Sequence, residues 1–185
     1  MHVRFRSCIG MPVLPDGGDM VLATLSGVLI HPDTGKIEGF FAHDRGSKGL
    51  FFSSKDIVRF GTRIYIRDED ALAPSDDHIR LATLLDDPRT FLGQKIRTES
   101  GGIVGRCIDV QFNTESMHVE WLFPRKWFRW GRPLPIASVL EIRPDAIIVR
   151  EAEVPEKQSL LRGEVLKAEM PVAQPSRSLR GNLFR

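Results

Sequence analysis

The sequence predicts a mainly β protein made of two small barrels in tandem. Three observations carry that expectation. An internal repeat spans most of the chain, the apolar segments are short, and the punctuation between them is turn chemistry rather than helix capping. Cys8-Ile9-Gly10-Met11-Pro12-Val13 recurs as Phe91-Leu92-Gly93-Gln94-Lys95-Ile96, and Ile64-Tyr65-Ile66-Arg67-Asp68 recurs as Ile147-Ile148-Val149-Arg150-Glu151, both at an offset of 83 residues. Between these ends, Val28-Leu29-Ile30 with Lys36-Ile37-Glu38 matches Val110-Gln111-Phe112 with His118-Val119-Glu120 at an offset of 82, so one residue is gained or lost inside the unit.

In the first unit Asp16-Gly17-Gly18 marks a turn, and Pro32-Asp33-Thr34-Gly35 places Pro early and Gly last, as a tight hairpin turn does. These bound strands near Met11 to Leu14, Met20 to Ile30, Lys36 to Ala42, Leu50 to Phe52 and Arg63 to Arg67. Ser54-Lys55-Asp56-Ile57 reads as capping and charge at a short turn. In the second unit Ser100-Gly101-Gly102 and Asn113-Thr114-Glu115-Ser116 take the turn positions. Alternation from Met117 to Phe123 predicts a half-buried strand with Met117, Val119, Trp121 and Phe123 on one face and His118 and Glu120 on the other. Units of five or six short strands leave exposed edges unless they close, hence the expectation of barrels.

The domains expected are 1–72 for the first barrel, 73–90 for a helical linker, 91–154 for the second barrel and 155–185 for a tail. In the linker, Ser75-Asp76-Asp77 begins a helix that carries His78, Leu81, Ala82 and Leu85 on one face and stops at Pro88. The tail turns polar and Pro-rich, and Lys157, Arg162, Lys167, Arg177, Arg180 and Arg185 outnumber Glu156, Glu164 and Glu169. It reads as flexible and basic, with 159–166 able to add to a barrel edge and the end from Pro171 free. The alignment predicts buried Val28, Ile30, Ile37, Phe41, Ile57 and Ile66, and buried Val110, Phe112, Val119, Phe123, Val139 and Val149. It also predicts that the two copies pack through equivalent faces, with small Gly39 and large Trp121 at matching positions relieving overcrowding between them.

Composition bounds the class. In 185 residues, 42% are hydrophobic and 27% charged, which supports a folded core, and a formal charge of +2 is too small to imply nucleic acid by itself. The stretch from Val21 to Ile30 is too short and too interrupted to span a membrane. Met1 to Ser7 has no secretory h-region, and Cys8 and Cys107 lie far apart with no C-x-x-C, so a reduced, cytoplasmic protein is expected.

The repeated layout resembles the PRC-barrel family, which includes the cytoplasmic domain of the photosynthetic reaction centre H subunit and the C-terminal domain of a ribosome maturation factor. The resemblance rests on Ile9-Gly10 with its short strand, the long strand ending Val28-Leu29-Ile30-His31-Pro32-Asp33-Thr34-Gly35-Lys36, Ser54-Lys55-Asp56-Ile57, and the closing Ile64-Tyr65-Ile66. It covers 9–70, and again 91–152, where the second copy lacks the Pro and Gly of the long hairpin turn. It implies small β-barrels used mostly for protein contacts, and it brings no catalytic residues.

The densest unusual cluster is Arg125-Lys126-Trp127-Phe128-Arg129-Trp130-Gly131-Arg132, where the first copy has only His43-Asp44-Arg45-Gly46-Ser47-Lys48. Interleaved cations and indoles suit a protein partner, RNA or an anionic membrane. Equally, Trp127, Phe128 and Trp130 would simply cap the barrel end. Arg177, Arg180, Phe184 and Arg185 in the tail have the composition of a segment that orders on binding. The histidines His2, His31, His43, His78 and His118 show no zinc-ligand spacing, and neither metal nor other cofactor is expected. Ser53, Ser54 and Asp56 form no nucleophile elbow, and Gly101-Gly102-Ile103-Val104-Gly105 lacks the Lys of a phosphate loop. The reading is a non-enzymatic adaptor for a protein partner. The alternatives are an RNA- or ribosome-associated factor and a peripheral membrane accessory.

Overall fold

The computed structural model describes residues 1–44, 46, 48–77 and 81–151, and Arg177, Arg180, Phe184, Arg185 and the rest of the expected tail lie outside them. The chain opens with β1 (His2–Arg4) and a single turn of helix, α1 (Phe5–Cys8). The first repeat then supplies β2 (Pro12–Pro15), β3 (Ala23–Ile30), β4 (Ile37–His43), β5 (Lys48–Ser53), β6 (Ile57–Phe60) and β7 (Ile64–Ile66). A two-residue strand β8 (Ala73–Pro74) and the short helix α2 (Ala82–Leu85) lead into the second repeat. That repeat supplies β9 (Lys95–Thr98), β10 (Ile103–Asn113), β11 (His118–Lys126), β12 (Arg129–Trp130), β13 (Leu134–Pro135), β14 (Val139–Ile142) and β15 (Ala146–Val149).

The protein is thus mainly β, with two sheets, one of them a half-barrel, joined by short helices. The expected closure does not occur in the hydrogen-bonded ladders. The first sheet runs β6-β7-β2-β3-β4-β5-β8 and the second β12-β11-β10-β9-β15-β14, each an open path among the described residues. The linker is built of short helices, as expected, with a 3-10 turn at Ser75–Asp77 and the one turn of α2 among the described residues, while the expected His78 lies outside them. Segment 1–72 does not stay with the first sheet, because β1 pairs antiparallel with β10, His2 opposite Asn113 and Arg4 opposite Gln111.

The repeat holds at the level of individual pairs. Val13 opposite Ile64 in a parallel pair reappears as Ile96 opposite Ile147. Leu25 opposite Ala42 reappears as Cys107 opposite Pro124, and Ile57 opposite Ile66 as Val139 opposite Val149. Even the irregularities repeat. The register slips between Leu25 and Gly27 and between Leu29 and Ile30 in β3, and at the matching positions Cys107/Asp109 and Gln111/Phe112 in β10.

The second of these bulges overturns the predicted phase of β11. Phe112 pairs with Val119 and Gln111 with Trp121, which leaves Glu120 as the extra residue. A one-residue insertion turns the following side chains over. Val119 and Leu122 are therefore buried, whereas Trp121 is 39% exposed and Phe123 half-buried. Of the predicted core, Ile30, Ile37, Ile66, Val110, Phe112, Val119 and Val149 are buried, and Val28, Phe41, Ile57, Phe123 and Val139 are half-buried.

The two copies meet through equivalent segments at the tips of their long hairpins. Lys36 bridges His118, its own repeat counterpart. Ile37 N–H donates to the Met117 carbonyl (2.7 Å), and Val119 N–H donates to the Gly35 carbonyl (2.9 Å), so the two bonds are related by a local two-fold axis. Gly35 (φ +69°) and Met117 (φ +52°) hold the same left-handed turn position. Beneath the junction one core is shared by both sheets. The Phe112 ring of the second lies 6.1 Å from Phe40 and 5.7 Å from Phe60 of the first. The space at Gly39, expected to relieve crowding between the copies, is taken up within its own sheet. A Cβ on Gly39 would overlap the Phe51 ring and the Phe52 carbonyl oxygen of its own sheet.

Candidate functional site

Expected site residues 125–130 form a hairpin that extends the outer edge of the second sheet. Arg125 pairs with Trp130 and Lys126 with Arg129, which leaves Trp127 and Phe128 as a two-residue turn at the tip. Trp127 takes φ +56°, a conformation in which glycine is unstrained and a bulky side chain is not. Both tip residues stand in solvent, Trp127 at 85% and Phe128 at 88% exposure. They do not cap the sheet. Trp130 is anchored more firmly, with the Arg4 guanidinium 5.4 Å and the Arg125 guanidinium 5.8 Å from its ring. Arg132 is exposed in the segment Gly131-Arg132-Pro133 that interrupts the edge before β13.

Behind the hairpin the structure gathers cations that the sequence leaves scattered. Lys95 of β9 pairs with Arg106 of β10, and Arg106 pairs in turn with Arg125 of β11. Three cationic side chains thus lie in register across three adjacent strands, and the row ends at Trp130 of β12. Arg97, two residues beyond Lys95, and Lys126 join them around a cleft of about 540 Å³, completed by Ile103, Gly105, Ile108 and Trp127. No carboxylate is among these lining residues.

The cleft's cations are only partly engaged by protein. Arg106 donates to the Gly93 carbonyl and Lys126 Nζ to the Ile103 carbonyl (3.1 Å). The Nε atoms of Arg97 and Arg125 are buried and have no hydrogen-bond partner among the described residues. Asp109 in the adjoining part of β10 does not neutralise the row. Its buried carboxylate accepts Arg4 Nε (2.9 Å), Arg6 N–H (2.9 Å) and Val110 N–H (2.9 Å), and Arg4 lies 4.1 Å above the Phe123 ring. That network pins β1 and α1 against the second sheet. Like charges directly opposite on neighbouring strands oppose sheet formation by a few tenths to about 1 kcal/mol per pair. A row of three therefore weakens the sheet that holds it.

Lys95, Arg97 and Arg106 escape detection in the sequence because no two of them neighbour the cluster at 125–132. The signal that could have found them is the repeat, since their counterparts Pro12, Leu14 and Thr24 are uncharged.

Elsewhere the groups are quiet. Cys8 and Cys107 are free and buried, and burial pushes their thiols up to about 11 and about 12. His31 Nδ1 accepts the Asp33 N–H (3.2 Å), and Ser53 caps the next turn by accepting Lys55 N–H (3.3 Å), so both act in local turn structure. Among the described residues no three His, Cys, Asp or Glu side chains converge on one point, and no helix is long and apolar enough to cross a membrane. In sequence comparisons the chain matches no family model and no curated protein.

Proposed function

We propose that the protein is a non-enzymatic adaptor of the PRC-barrel type, which docks another macromolecule on the aromatic and basic face of its second sheet. The observation that supports this most directly is the pair Trp127 and Phe128, both more than four-fifths exposed at a hairpin tip where Trp127 also strains the backbone. Large exposed aromatics ringed by cations have the composition of binding hot spots, and strain that nothing in the core requires points to a use outside it.

Affinity capture with the full chain under native conditions tests the reading. A stoichiometric partner retained by the native protein and lost from Trp127→Ser/Phe128→Ser supports it. An identical set of captured molecules with both proteins, or no stoichiometric partner with either at low salt, overturns it.

A further inference from the structure

We propose that the cleft behind this hairpin binds a single-stranded nucleic acid, with Lys95, Arg97, Arg106 and Arg125 on successive phosphates and Trp127 stacking on a base. The proposal rests on the docking role given above to the same face and names the chemistry of what docks there.

Three features select this occupant. Charge comes first: Lys95, Arg106 and Arg125 stand in cross-strand register, and no carboxylate is among the described residues that line the cleft. Neighbouring strands lie about 5 Å apart, so the row is a ladder of cations at a spacing a flexible phosphodiester chain can follow. Hydrogen bonding comes second. Arg97 and Arg125 each keep a buried Nε donor with no partner among the described residues, and a buried donor is normally satisfied. Phosphate oxygens supply strong acceptors for guanidinium donors. Shape comes third. The cations line a shallow, open cleft of about 540 Å³ behind the projecting hairpin tip, in which Arg97 and Arg125 are half-buried. A flat bilayer touches the tip residues Trp127 and Phe128 but does not enter the cleft. A duplex keeps its bases stacked inside and offers Trp127 nothing to stack on, whereas a single strand offers phosphate and base together.

The test measures fluorescence anisotropy of a labelled single-stranded oligonucleotide of about 12 nucleotides with the full chain, a length within the range one such groove engages. Binding that uses four phosphates weakens about fiftyfold between 50 and 200 mM salt. Giving the cleft the residues of its repeat counterpart, Arg97→Leu/Arg106→Thr, reduces affinity at least about tenfold, while circular dichroism and thermal midpoint confirm the fold. Trp127→Ser reduces it severalfold, and the native tryptophan emission is quenched on binding. Unchanged affinity in the double variant would assign the binding to residues outside the cleft and overturn the proposal. So would flotation with anionic phosphatidylglycerol vesicles without oligonucleotide binding. If the hairpin variant loses its captured partner while the native chain binds no oligonucleotide, the docking role stands and this inference falls.

Discussion

Pro12, Thr24 and His43 in the first sheet hold the same cross-strand register as Lys95, Arg106 and Arg125 in the second. Each row borders a cleft. The first, about 600 Å³, is lined by Val21 to Thr24, His43 and Asp44, and the second by the cations and Trp127. The backbone is duplicated and the chemistry is not. A repeat secures the geometry of a site twice over, and the residues that distinguish the copies then show which copy carries function. The edges differ in the same sense. In the first sheet β5 runs unbroken and β8 covers it, Leu50 opposite Pro74 and Phe51 opposite Ala73. In the second, Pro133 stands at the position of Phe51 and splits the edge into β12 and β13, which frees the aromatic hairpin from the sheet's end.

The sharpest way to break the equivalence is to change one position in both copies. Gly39 and Trp121 are counterparts, but Gly39 is buried against Phe51 and Phe52 while Trp121 is 39% exposed. Gly39→Ala forces a methyl group into a packed ring and a backbone carbonyl, and the expected loss is about 3 kcal/mol in urea unfolding. Trp121→Ala removes a partly exposed side chain and is expected to lose below about 1 kcal/mol. Similar losses at both positions would mean that the two sheets carry the core alike, contrary to the packing seen.

How much of this was legible follows from which interactions are local. Turn residues are local, so the strand order of each unit and the hairpin turns at Pro32 to Gly35 and Asn113 to Ser116 could be read from the chain. The offset of 83 at both ends and 82 between was also legible, and the structure places the two one-residue slips in the β2–β3 and β6–β7 connections and their counterparts. What escaped depends on pairing between distant strands. The bulge at Glu120 is set by its partner β10 and breaks a period that looked regular, although Phe40-Phe41 in the first copy and Leu122-Phe123 in the second break strict alternation at one aligned place. The capture of β1 by β10 joins residues more than a hundred positions apart. The cation row is a fact of register alone.

A second variant sharpens the contrast between stability and use. Trp127→Gly keeps the turn and removes the penalty of a bulky residue at φ +56°. It is expected to raise stability by about 1 kcal/mol in urea unfolding, because the exposed indole contributes little burial to be lost. The same variant is expected to lose the docking partner. A stability that falls instead would show that the indole packs on the fold, and that the strain belongs to the architecture rather than to binding.

The smallest effect concerns how the two long hairpins are clamped. The first hairpin's Asp33 accepts Arg89 Nη1 (2.6 Å), and the same guanidinium holds Asp87 (2.7 Å). At the second hairpin the carboxylate of the matching Glu115 meets, among the described residues, the Met1 amino group at 3.4 Å, largely in solvent. Hydrogen bonds from the Arg89 side chain and backbone hold the Asp87 carboxyl below the usual carboxylate range. A carboxyl whose folded value is depressed adds stability above its unfolded value of about 4, and that stability is lost as the pH falls through the depressed folded value. Arg89→Ala therefore lowers the urea midpoint slightly at pH 7, the more so because both partners lie near the surface. The gap between variant and native protein should close as the pH is lowered from 5 towards 2, a range of about three units below and across the carboxylate values. Glu115→Gln is expected to shift the midpoint at pH 7 by less than Arg89→Ala does. A gap that stays constant down to the lowest pH would mean that Arg89 supports the first hairpin through packing of its aliphatic stem, and that the ionic clamp adds nothing to distinguish the two hairpins.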